Sequence, residues 1–449
     1  MGVGPAPIVG RVTRPGLLFR SSLNDPVQAM RYAQGAFLAF ATMAMLFIGC
    51  DTSSPDAEED PVPPAAHVEA RGAMMQGVPP PNNPTGPSEG TVLSGPVFDL
   101  ATAPNGSILA VETVSPGTDI PPEGTNTSVV KEISRQGVQE VTEIVTVTGS
   151  PINGIETIGR GNFFAASGGL DQAVGAGVWH VTRGNARKVG NVESFEKNVD
   201  PDANEGLKWK DPLCEINPSE GFTAGPQSNP YHLARRSGRE VLVADAAGNT
   251  LLSARTNGTV DWVSILTPPT TGPPAASTAP TDWRVLFPLS QDTNCYVQPV
   301  PTAVDVGPSG DYYVGELTGV TPGDLEGNPS TGLSRVWRVE DGARNVICPS
   351  DDCEVALDGL TSVIDVEFGP NGDLYVVEYD ENGWFASTAL GTPAGGTINR
   401  CDVETGQCTA VADDLTLPGA IAFDKGGTLW LLENNIGTPT VRPVPSAAP

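Results

Sequence analysis

Carboxylates recur at equivalent points along this chain, each closing a short apolar run: Glu112 in SILAVE, Asp245 in EVLVAD, Glu316 in DYYVGE, Glu378 in DLYVVE and Glu433 in TLWLLE. A sixth run, NFFAAS, ends on Ser167 instead. Two chemistries suit acids at such positions. Each can accept backbone N–H groups in the turn that follows, which needs no ligand. Together they can form a partial ring of anions that holds a hard cation such as Ca²⁺ or another divalent ion.

A second set precedes those runs: Asp99, Asn153, Glu156, Tyr231, His232, Asp305 and Asp365. Asp99 and Asp365 each stand seven residues before a turn glycine, Gly106 and Gly372. Like charges brought to one depth raise one another's pKa or recruit a cation. Side chains at such a depth are also candidates to line a pocket. The run Asp200-Pro-Asp202-Ala-Asn204-Glu-Gly206 resembles a calcium loop only in part: its glycine comes one place late and its twelfth position is Asp211. No GxSxG motif is present, His180 in a third strand reads as a packed or surface residue, and His232 has no evident partner, so no residue is assigned a catalytic role.

Positioning these groups is the task of many short strands. The 449 residues include 52 Gly and 43 Pro, only 17% are charged, and no long amphipathic helical pattern appears. That composition predicts an all-β chain. The formal net charge of −28 repels phosphate backbones and excludes nucleic acid as a partner.

Six repeats follow residue 90, each an apolar strand, a turn glycine (Gly106, Gly161, Gly238, Gly310, Gly372, Gly427) and a second apolar strand. First strands include PVFDLATAP, PTAVDVGP and SVIDVEFGP; third strands include GVWHVT and RVWRVE. The second strands are apolar on both faces, as in small sheets sandwiched between neighbours. Six such sheets around an axis make a six-bladed β-propeller over residues 91–445. After Glu433 the chain has room for one more strand, so TVLS at Thr91–Ser94 is expected to supply the last blade's outer strand and leave few open edges.

The N-terminus reads as a targeting signal. Arg31 precedes an uncharged apolar stretch, Ala36 to Gly49, of signal-peptide length, and Phe47-Ile48-Gly49-Cys50 resembles a bacterial lipobox. Residues 1–49 are read as the signal peptide, with Met30 as an alternative start, and Cys50 as the lipidated residue. Residues 50–90, acidic and Pro-rich, read as a flexible tether. The expectation is a monomeric, exported lipoprotein, attached to a membrane through Cys50 and facing the periplasm or the cell surface. Six further cysteines fit an oxidising compartment: CPSDDC pairs Cys348 with Cys353, CDVETGQC pairs Cys401 with Cys408, and Cys214 and Cys295 pair by elimination.

The segments SNPYHLA with VLVADAAGNTLL (228–252), PVPTAVDVGPSGDYYVGELTG (299–319) and SVIDVEFGPNGDLYVVE (362–378) resemble the ScyD/ScyE family, relatives of NHL-type propellers. The likeness spans about residues 91–445. Arg235-Arg236 and the Cys-bearing insertion at 202–227 depart from it. The resemblance implies a propeller and brings no catalytic residue to carry over. The expected function is therefore binding of a small molecule or protein on one face. The alternatives are a metal-dependent hydrolase or lactonase with channel carboxylates, and a surface-tethered scaffold.

Overall fold

The computed structural model describes residues 90–114, 125–134, 136–147, 149–169, 173–204, 226–270, 284–288, 294–321, 324, 327–329 and 331–445. The signal segment, Cys50, the tether up to residue 89, Cys214 and the side chain of Cys295 lie outside the described residues.

Six antiparallel sheets surround one axis. The innermost strands are Val97–Thr102, Ile152–Gly159, Pro230–Ser237, Pro301–Val306, Val363–Phe368 and Ala420–Phe423 for blades 1 to 6. Each pairs with the second strand of its blade, and five of these six pairings are broken by a bulge at the same place, for example between Val363 and Asp365. A bulge re-aims side chains, and here it falls immediately before the residues that face the axis. Five of the six turn glycines take positive φ, from 68° at Gly161 to 98° at Gly310, which L side chains resist.

Apolar residues on both faces of the second strands account for the stacking. Distinct buried clusters fill the blade interfaces, with Phe163, Val130 and Ile155 between blades 1 and 2, and Trp430, Ile108 and Leu93 between blades 6 and 1. Full burial of such side chains stabilises by about 1.5–3 kcal/mol each. Close approach also restricts residue size: a Cβ on Gly154 would lie 2.8 Å from the Tyr231 carbonyl oxygen on the neighbouring blade.

Thr91–Val92 pairs antiparallel with Thr440–Pro443, Thr91 opposite Val441. Blade 3 carries a fifth, parallel strand, Val346–Ile347, lent by the blade 4 connection. Two residues are too few to leave a periodic signal, so this strand is invisible in the sequence. Disulfides Cys348–Cys353 and Cys401–Cys408 are present.

Candidate functional site

The innermost strands place their side chains in layers along the axis. Lining five strands up on their bulges, and the sixth on its pairing of Ala420 with Leu432, puts Asp99, Gly154, His232, Ala303, Asp365 and Ala420 at one level. Large polar groups therefore alternate with small ones around the ring, and the odd-numbered blades converge on one point. His232 Nε2 lies 3.1 Å from Asp99 Oδ1 and 3.2 Å from Asp365 Oδ1. Both carboxylates are 1% exposed and His232 is 8% exposed, so the trio is cut off from bulk water.

The same side chains tie blade to blade. Asp99 Oδ2 accepts from Ile155 N–H on blade 2, and Asp365 Oδ2 from Ile421 N–H on blade 6. His232 Nδ1 accepts from Val304 N–H on blade 4 at 3.4 Å. One layer further along, Asp305 Oδ2 accepts from Phe368 N–H on blade 5. These are inner-strand donors that would otherwise be unpaired at the axis.

Glu156, Asp305 and Glu367 form that next layer and are half-buried, so water reaches them from one end of the channel. At the other end, Phe98, Tyr231, Ile364 and Tyr379 are buried in one apolar cluster that runs over the axis. The channel is thus closed on the face where the inner strands begin and open on the opposite face. Among the described residues the Tyr231 hydroxyl within the cover has no hydrogen-bond partner.

Burial dominates the protonation of these groups. It pushes Glu156 up to about 8, with Arg235 opposing and the Asp305 charge assisting. Asp365 rises to about 7 by burial and the Asp99 charge, partly offset by His232. Burial raises Asp305 to about 6 and lifts Glu367 well above its ordinary range. For His232, burial alone would lower the value, but the Asp99 and Asp365 charges outweigh it and the ring is raised. His232 and Asp365 compete for the same proton, so the two titrate as a pair.

The strand-end carboxylates hold the chain entering their own blade. Glu112 accepts from Ser94 and Gly95 N–H and pairs with Lys131; Glu378 accepts from Thr361 N–H, and Glu433 from Thr416 N–H. Asp245 accepts from Asn229 N–H and, in the following turn, Gly248 N–H. The turn-binding expectation thus needs correcting in its direction: most donors precede the blade. The reason is geometric, since the inner strand begins on the face where the second strand ends. Glu316 instead meets Arg335 Nε at 2.5 Å and Trp337 Nε1 at 2.9 Å on its third strand. In blade 2, Ser167 accepts from Trp179 Nε1, the equivalent tryptophan. Asn153 bonds to the Pro230 carbonyl on blade 3.

Ligand atoms of Glu196, Asp200 and Asp202 lie within 4.8 Å of one another, close enough to hold a metal ion, whereas Asp99, His232 and Asp365 do not close into such a group. Asp202 accepts from Asn249, and none of these three acids is without a partner. Glu196 was absent from the sequence reading because it lies on the helix Val192–Val199, ahead of the loop-like run. Glu367 was also missed, although its position two residues after Asp365 puts it on the same side of the strand.

Fold and axis together define a six-bladed β-propeller. No family model and no curated protein matches the chain. Among solved structures, a streptogramin B lyase aligns at 11% identity over 79% of this chain and 97% of its own, with a TM-score of 0.38. A calcium structure of a Trichoderma reesei carbohydrate-active enzyme of family AA12 aligns at 10% over 80% and 97%, TM-score 0.41. A glucose dehydrogenase aligns at 11% over 80% and 100%, TM-score 0.42. Likeness this distant carries no activity to the present chain.

Proposed function

We propose that this protein is an exported, lipid-anchored recognition propeller of the ScyD/ScyE type, which binds a protein or small-molecule partner on its outer surface. One observation carries the reading: His232 occupies the seat between Asp99 and Asp365, beneath a closed apolar cover. A metal-dependent hydrolase needs an ion with an open coordination position facing substrate. In this axis the carboxylates meet an imidazole and backbone N–H groups, and a dication would have to displace that ring. In the same reading Thr91–Val92 completes the last blade, and the segment through Cys50 tethers the disk to a membrane.

Isothermal titration of the purified mature chain with Ca²⁺, Mg²⁺ and Zn²⁺ tests this assignment. The expected result is that the Asp99→Asn/Asp365→Asn variant gives the same heats as the unmodified chain. A saturable one-to-one heat that this variant abolishes would restore the metal-dependent reading.

A further inference from the structure

We infer that the free edge of blade 1 takes up an extended, basic segment of a partner protein as an added β-strand. The inference rests on the recognition reading and names its partner class. The outer strand of this blade, Gly137–Val147, is 11 residues long and follows the hairpin partner Thr125–Ser134. Among the described residues its far side pairs with no further strand. An edge of this kind presents a row of unpaired backbone donors and acceptors.

The other five edges are shorter. Blade 2 ends on a 6-residue strand bearing Arg187 and Lys188. Blade 3 is covered in part by Val346–Ile347. The outer strands of blades 4 and 5, of 8 and 9 residues, turn to positive φ at their next-to-last residues, Gly359 and Asp414, and that of blade 6 has 2 residues. The blade 1 strand has no proline, no lysine or arginine, and no glycine past its first residue. Its one irregularity is a bulge at Val141, between the pairs Val130–Thr142 and Lys131–Glu140, which leaves Thr142–Val147 as a regular run.

Side chains beside that edge point to the occupant. Eight large hydrophobic side chains are exposed among the described residues, and four of them, Val114, Val138, Val145 and Val147, are on blade 1. Val114, Thr127 and Val145 form one cross-strand row that runs to the edge. An added strand would extend this row with β-branched side chains. The only charges on the outer strand are Glu140 and Glu143, both exposed, on a chain of net charge −28. A second copy would bring the same acids to the same edge; lysines or arginines alternating with β-branched residues complement it.

The test is fluorescence anisotropy with the mature chain and a labelled peptide of about eight residues alternating lysine with valine and threonine, the strand-addition pattern. Saturable binding is expected, weakened about tenfold or more in Glu143→Lys/Val145→Lys, and lost when two central residues of the peptide are proline, which cannot donate to a ladder. Equal binding of the proline peptide would show charge attraction alone and overturn strand addition. Self-association that is lost in the same variant would make a second copy the occupant and overturn the basic-partner assignment. No binding of either peptide would also overturn it, while leaving the metal titration above to judge the axis separately.

Discussion

His232, Asp365 and Glu156 hold protons that the unfolded chain would release, and this gives stability a direction with pH. Groups with raised values bind more protons folded than unfolded, so each loses stability as pH rises through its folded value. His232, raised above 6.5, contributes fully at low pH and less above that value. Asp365 and Glu156, raised from 3.8 and 4.5 to about 7 and about 8, cost stability progressively across those windows. Glu112 and Glu193 are lowered, so their stabilisation is fully present above about pH 4.5, is lost only below it, and does not oppose the trend between pH 5 and 8. The chain is therefore expected to melt at higher temperature at pH 5 than at pH 8, with a slope of about 1.4 kcal/mol per pH unit for each net proton. A melting temperature that rises between those values would show that the axial groups ionise as they do in water.

At the scale of the strand, the alternation of large and small side chains around the axis is a packing constraint. Gly154→Val would drive a side chain against the Tyr231 carbonyl and the His232 Cα at 3.3 Å. Overpacking of this kind costs about 1–3 kcal/mol, and chemical denaturation would record it; an unchanged midpoint would mean that the inner strands can spread. Much of this layer was legible in the sequence. Asp99 and Asp365 fell into step because their hairpins have equal lengths, counted back from the turn glycine. His232 did not, because the blade 3 turn is shorter, with Ser237 opposite Glu240, so the same count lands one residue away. Asp305 was grouped with Asp365, yet the structure sets it level with Glu367. The bulges that decide these levels depend on pairing between strands, and residue periodicity within one strand does not encode them.

At the scale of the molecule, six sheets close on themselves only if the last meets the first. Leu93, 4% exposed, packs with Trp430, Ile108 and Val441 in the cluster between blades 6 and 1, just after the two residues that pair with Thr440–Pro443. Leu93→Ala is expected to cost about 2–4 kcal/mol in denaturant unfolding, as for a buried leucine; a loss below 1 kcal/mol would show that this segment adds little to closure. The repeats made six blades readable from the sequence, because a recurring apolar phrase reports an inter-blade core directly. The closed cover over the axis was not readable. Phe98, Tyr231 and Tyr379 come from different repeats and meet only once the ring has formed. In this reading the axial trio ties the blades together, with His232 in the seat a metal would need. A double-mutant cycle measures it most directly, by comparing unfolding free energies of His232→Leu, Asp99→Asn/Asp365→Asn and the combination. Removing the imidazole alone should cost about 3–5 kcal/mol, because it strands buried carboxylates, and most of that loss should return in the combination. A His232→Leu chain as stable as the parent would contradict the claim.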